Sequence, residues 1–292
     1  MIRLADSSSK QVVWNMWKTV FGDPDSYMNL YFRDKYKPEN TLVYFEDEKP
    51  VASLQMLKFR FTFYGREIPI YYLSGVCTLP EARRKGYMDL LLKSSFEIAQ
   101  DRRIPLMILV PQEEWLLGFY NKYDFSQTFD SCNQPLISLR GLNEKYPHDL
   151  LSAYKEFDSQ YRNQDMTVQK SFDDFKTIME ENALWDYPSK NSLIGMARVI
   201  DAYELLSVYA GRNINRNMKI EIYGDDILKA NNGLYNITDG DIKRVDGDAD
   251  VAFSFDIRDL AQVLLGYNTS LRGKNVESLF PEKKPQIHFM LE

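Results

Sequence analysis

Residues 83–86, Arg-Arg-Lys-Gly, place three cations and a glycine ahead of a run whose positions Met88, Leu91, Leu92, Ser95, Phe96 and Ala99 recur at helical spacing. The first N–H groups of a helix have no acceptor inside it, so such an end attracts anions. Gly86 lets a ligand approach the main chain without a Cβ in the way, and the arginines add charge-assisted bonds. A diphosphate suits this combination. A merely solvated basic loop has the same composition, although cations at a helix start oppose its dipole and need another reason to stand there. A second candidate is Tyr120, in the run Phe119-Tyr120-Asn121-Lys122-Tyr123-Asp124-Phe125. Taken alone, a tyrosine there packs a helix onto a sheet.

The elements that must position these residues read as follows. Residues 1–4 form a short strand, Val13, Met16, Trp17 and Val20 mark a helix ended by Gly22 and Pro24, and 26–36 form another helix. Strand-like runs at 41–45, 51–63 and 68–78, separated by turn clusters, predict an antiparallel meander. The helix after Gly86, a strand at 106–110, a helix at 113–122 and a strand from Phe125 complete a βαβ order.

This stretch resembles the acetyl-CoA motif of the GNAT superfamily of N-acetyltransferases, Gln/Arg-x-x-Gly-x-Gly/Ala, with Arg83, Gly86 and Met88 in its three places. Met88 departs from the usual small residue. In the enhanced-intracellular-survival (Eis) subfamily a bulky apolar residue also stands there, and its Val-x-x-x-Pro-x-x-Arg-Arg run is matched by Val76, Pro80, Arg83 and Arg84. The resemblance implies that Val76, Cys77, Thr78, Arg83, Arg84, Lys85, Gly86, Tyr87 and Met88 bind acetyl-CoA. Main-chain N–H groups at Val76 and Thr78 would polarise the thioester carbonyl where the strand opens at a bulge. The run 119–125 is similar to the family's Phe-Tyr-x-Lys-x-Gly-Phe, which implies Tyr120 as the general acid for the departing thiolate. Asp124 stands where the family has glycine, and aspartate is among the few residues that tolerate a left-handed backbone. In Eis enzymes the C-terminal carboxylate helps to deprotonate the amine, which here points to Glu292; Leu291-Glu292 also reads as an expression scar, which would put the native end at Met290.

Composition bounds the alternatives. A chain of 292 residues has room for two medium domains, each burying a core, and a hydrophobic fraction of 44% with 27% charged residues excludes long disordered spans. The net charge of −6 argues against a general nucleic-acid binder and is compatible with a cationic substrate. Cys77 and Cys132, with only His148 and His288 beside them, form neither metal spacing nor disulfide framework, which fits a reducing compartment. Asp246, Asp248 and Asp250 mimic a calcium loop, but Val251 stands where its glycine belongs and Ile257 where its glutamate belongs. No apolar run approaches the roughly 20 residues that span a bilayer. The N-terminus lacks a signal-peptide pattern. A cytoplasmic protein with neither membrane nor nucleic-acid partner is expected.

From residue 141 the pattern changes to helices at 150–161 and 171–181, the second capped by Ser171 with Asp174 three residues on. The resemblance makes this connector the remnant of a second acetyltransferase lobe, which so short a segment cannot hold. A strand at 196–200, a helix at 202–209, four strands between 218 and 255, a helix capped by Asp256 and a terminal strand at 287–291 resemble the sterol-carrier-protein-like domain that closes the Eis chain.

The expected architecture is a mixed α+β and α/β chain. A GNAT fold over 1–140, with a mixed, mostly antiparallel central sheet flanked by helices, precedes a helical connector over 141–193 and a smaller sterol-carrier-like α+β domain over 194–292. The expected activity is direct transfer from acetyl-CoA, a co-substrate used without a metal, to a primary amine of a polyamine, aminoglycoside or lysine type, small molecule or peptide. Because Eis enzymes form hexamers, a homo-oligomer is expected. Two rivals stand beside this: a non-catalytic acyl-CoA- or lipid-binding protein, and a structural module of a larger assembly.

Overall fold

The computed structural model describes residues 1–131, 135–247 and 251–291; Cys132, Asp248, Asp250 and Glu292, singled out above, lie outside them. Strand β1 (Ile2–Leu4) leads into helices α1 (Lys10–Phe21) and α2 (Asp25–Asp34). Then β2 (Thr41–Glu46), β3 (Lys49–Phe63) and β4 (Arg66–Thr78) form the expected antiparallel meander. After β4 come α3 (Tyr87–Asp101), β5 (Leu106–Leu109), α4 (Leu116–Asn121) and β6 (Ser126–Phe129). β5 runs parallel to β4, a pairing that needs a crossover, and α3 supplies it.

Side chains alternate across a strand, so β4 divides its residues between two cores. Ile70 and Tyr72 join the cluster of Val13, Met16, Trp17 and Phe32 from α1 and α2. Tyr71 and Leu73 join Leu91, Leu92, Phe96 and Tyr120 from α3 and α4.

The connector holds α5 (Leu139–Lys145), α6 (Leu150–Tyr161), β7 (Thr167–Gln169) and α7 (Phe172–Leu184). Ser171 and Asp174 form a reciprocal capping box at the start of α7, as their spacing predicts. α7 docks on α2 through Arg33–Glu180 at 2.6 Å and through the Thr177 hydroxyl, which donates to Asp34 at 3.0 Å. The connector is not purely helical: β7 pairs with β3 at Arg60 to Thr62, and three residues are too few to show a period.

The remainder comprises β8 (Gly195–Val199), α8 (Ala202–Arg212), β9 (Met218–Tyr223), β10 (Gly233–Thr238), β11 (Asp241–Val245), β12 (Phe253–Asp256), α9 (Ile257–Leu265) and α10 (Lys274–Leu279). Four of its strands make a second sheet in the order β11-β10-β9-β12. Two expectations are corrected. β8, expected to open the third unit, is hydrogen-bonded between β5 and β6, so the first sheet runs β1-β2-β3-β4-β5-β8-β6 and crosses the boundary at 194. Every residue of β8 is buried, the pattern of a strand covered on both faces. The terminal strand at 287–291 does not form. Gln286 makes a single bridge to Thr167, and Phe289 adopts φ 46°, which breaks extended pairing. Burial of Ile287 to Leu291 holds the segment instead. Among the described residues no helix is long and apolar enough to cross a membrane.

β4 carries one irregularity of consequence. Ser74 faces Gln55 and Cys77 faces Ser53, so Gly75 and Val76 together oppose Leu54 in a bulge. Gly75 has φ 57°, and a Cβ there would meet the Trp17 ring at 2.5 Å. Gly75→Ala should therefore lower stability by about 2–4 kcal/mol through left-handed strain and overpacking. The check is urea unfolding, where the midpoint should fall at unchanged m; an unmoved midpoint would show that the bulge accepts a side chain.

Candidate active site

β5 accompanies β4 only as far as the Tyr72–Ile108 pair, whereas β4 continues to Thr78. Beyond Tyr72 the two strands part. Leu79 N–H donates to Val51 O at 2.9 Å, and N–H groups alternate between the edges of a strand, so that of Thr78 turns away from β3 toward the gap. Cys77 faces the other way. Its thiol is buried 3.3 Å from Ser53 Oγ on the α1–α2 side, and burial pushes it up to about 11, which makes it a packing group.

α3 opens after that gap. Gly86, with φ 82°, is its N-cap, and no side chain caps the first turn. Arg83 and Arg84 are exposed, and Arg83 Nε donates to Thr78 O at 3.2 Å, tying the basic turn to the end of β4. Arg84 holds a left-handed backbone at φ 62°, a conformation that costs a non-glycine residue about 1 kcal/mol or more. Lys85 and Tyr87 are engaged elsewhere. Lys85 Nζ pairs with Glu46 at 3.1 Å, and the Tyr87 hydroxyl donates to the same carboxylate while its ring stacks on Tyr44 at 4.2 Å. Met88 is half-buried against the α3 core. Two arginines and the helix's own N–H groups thus stand exposed at the start of α3, a combination that favours anions.

α3 follows β4 and α4 follows β5, so both helices start at the carboxyl end of the parallel pair, where crevices in such sheets form. Tyr120, late in α4, is 7% exposed and shares a cluster with Val76, Met88 and Leu91. Its ring lies edge-on to Phe119 and Phe125, at 5.1 and 5.8 Å. Burial alone pushes its hydroxyl well above the ordinary tyrosine value. The following turn closes on Tyr120, whose carbonyl accepts from the N–H groups of Tyr123 at 2.9 Å and Phe125 at 3.3 Å. Asp124 takes the left-handed backbone expected of it, at φ 62°.

On the opposite side of the sheet lie residues that sequence reading passed over. The Tyr31 hydroxyl donates to Ser74 Oγ at 2.9 Å and lies 3.3 Å from Gln55 Oε1, immediately ahead of the bulge. The available signal was a glycine, Gly75, inside a strand run. A cleft of about 580 Å³ between α2, β3 and α7 is lined by Lys35, Lys58, Phe59, Asp174 and Glu180. A narrow continuation sets Tyr72 beside Phe289, Met290 and Leu291. Tyr72 is the last residue of β4 paired with β5.

Among known families, the acetyltransferase (GNAT) domain matches residues 1–128 and the sterol carrier protein domain matches residues 196–283. No curated protein matches the sequence. Several solved structures are similar over almost the whole chain. A GCN5-related N-acetyltransferase from Kribbella flavida is 15% identical with a TM-score of 0.70, covering 98% of this chain and 96% of its own. One from Anabaena variabilis is 14% identical with a TM-score of 0.69, covering 98% of each chain. An Eis protein from Mycobacterium abscessus is 13% identical with a TM-score of 0.66, covering 99% of each. At these identities the likeness is one of fold. The chain therefore carries a GNAT acetyltransferase domain joined to a sterol carrier protein domain.

Proposed function

We propose that the protein transfers an acetyl group from acetyl-CoA directly to a primary amine. The observation that carries this reading is the gap between β4 and β5, bracketed by the uncapped start of α3, the N–H group of Thr78 and the buried hydroxyl of Tyr120. Acetyl-CoA supplies a thioester and a pyrophosphate. Arg83, Arg84 and the first N–H groups of α3 bind the pyrophosphate. The N–H groups of Val76 and Thr78 donate to the thioester oxygen as it gains negative charge.

The amine enters through the cleft on the α1–α2 side, reaches the gap beside Tyr72 and attacks the carbonyl carbon. The carbon–sulfur bond breaks, and Tyr120 donates its proton toward the departing sulfur. Burial holds the proton on Tyr120 until then, and the same water-poor surroundings raise the sulfur's affinity for it. The amine's surplus proton passes to a carboxylate or water on the acceptor side; Glu292, the carboxylate that the family resemblance points to, lies outside the described residues. Polyamines, aminoglycosides and lysine-type amines are the acceptors to screen.

Calorimetric titration with acetyl-CoA should give micromolar binding that disappears in an Arg84→Ala, Gly86→Glu variant. An absence of binding by the wild type would overturn the reading and turn attention to lipids and the C-terminal domain. Tyr120→Phe should retain that binding but lose about 100-fold in kcat, measured by thiol release with a responsive amine. Undiminished turnover would remove Tyr120 from the mechanism.

A further inference from the structure

Arg198, next to last in β8, is wholly buried on the face that carries α3 and α4. Its guanidinium lies 4.7 Å from the ring centroid of Phe96 on α3. One terminal nitrogen donates to Val199 O at 2.8 Å and to Asp225 Oδ2 at 3.2 Å; the other donates to Asp225 Oδ1 at 2.9 Å and lies 3.4 Å from Asp124 Oδ2. Asp225, equally buried, also accepts from Leu228 N–H at 2.7 Å and from Asn231 Nδ2 at 2.9 Å. Asp225 belongs to the sterol carrier domain, whereas Asp124 closes the turn that ends on Tyr120.

We propose that Asp225 and Arg198 are positioning residues through which the sterol carrier domain holds the turn bearing Tyr120, with Asp124 as their handle. The inference rests on the reading of Tyr120 given above. A glycine at 124 would satisfy the left-handed turn without reaching Arg198, so the aspartate adds a tether that the turn itself does not need. A buried cation shared by two carboxylates has few alternative arrangements, and its partners become mutually dependent.

The tether has a pH signature. Burial raises the Asp124 carboxyl and Arg198 lowers it, leaving it at about 6, with Asp225, Arg258 and Asp256 as the other charged groups that face it. Its folded value exceeds the unfolded one, so its stabilising contribution is full below the ordinary carboxylate range and is lost as pH rises through 6. Relative to Asp124→Gly, the wild type should therefore lose melting temperature between pH 4 and 6. Its ion pair with Arg198 forms over the same range, so kcat should rise toward pH 7 with an inflection that Asp124→Gly lacks.

The test uses the full chain. In Asp225→Asn, hydrogen exchange across residues 116–126 should accelerate about tenfold, and kcat should fall about tenfold with KM for acetyl-CoA unchanged. Combining it with Asp124→Gly should add no further loss. Should Asp225→Asn not fold, Asp124→Gly carries the same measurements, since glycine suits that backbone. Unchanged exchange in a folded variant, or fully additive losses, would overturn the proposal. Accelerated exchange in a protein that transfers no acetyl group would uphold the tether and remove the enzymatic reading instead.

Discussion

A strand edge that loses its neighbour must leave its N–H and C=O groups to water or to a ligand, and β4 is in that position beyond Tyr72. The parting is built in rather than frayed. The bulge at Gly75 and Val76 shifts the register with β3, the Trp17 ring packs where a side chain would have been, and Tyr31 pins Ser74 just upstream. The opening is therefore held by packing from α1 and α2 on one face while α3 and α4 flank it on the other. Remove the bulge and the register of β4 against β3 beyond Ser74 changes, whatever the surrounding side chains do.

Charge is distributed around this opening with little redundancy. Three cations precede α3, but Lys85 is drawn off by Glu46, which also receives the Tyr87 hydroxyl, leaving the two arginines outward. Exposed pairs such as Lys85–Glu46 contribute little to stability. This one fixes which side chains face the helix start. The interior shows the opposite arrangement, where Arg198 is enclosed and its ion contacts among the described residues are to the buried carboxylates Asp124 and Asp225.

Local chemistry was readable and partner choice was not. The meander, the α3 helix, the Ser171–Asp174 capping box and the left-handed Asp124 all follow from residue types at fixed spacing. Each depends on interactions within a few residues. The Tyr31–Ser74 contact joins residues 43 apart in sequence, and Lys85–Glu46 joins residues 39 apart. Nothing in the local pattern of either segment announces them. β8 is the clearest case: its buried run was recognisable as a strand, but periodicity cannot say which sheet a strand enters. The irregular 287–291 segment failed for a related reason, since an apolar run that is buried without pairing looks like a strand until Phe289 breaks it.

The insertion of β8 between β5 and β6 also governs how the chain can be made. Until Gly195–Val199 leaves the ribosome, β5 has one open edge and β6 has no partner in the sheet. Synthesis of the intervening segment takes on the order of ten seconds. Throughout that interval the nascent chain exposes an apolar strand edge of the kind that seeds aggregation. The helices of the connector emerge during the same interval, and their small core is itself completed only when Phe289 follows. The acetyltransferase half is thus completed by a strand encoded in the other half, and the sheet that residues 1–128 begin closes only when residue 199 has been made.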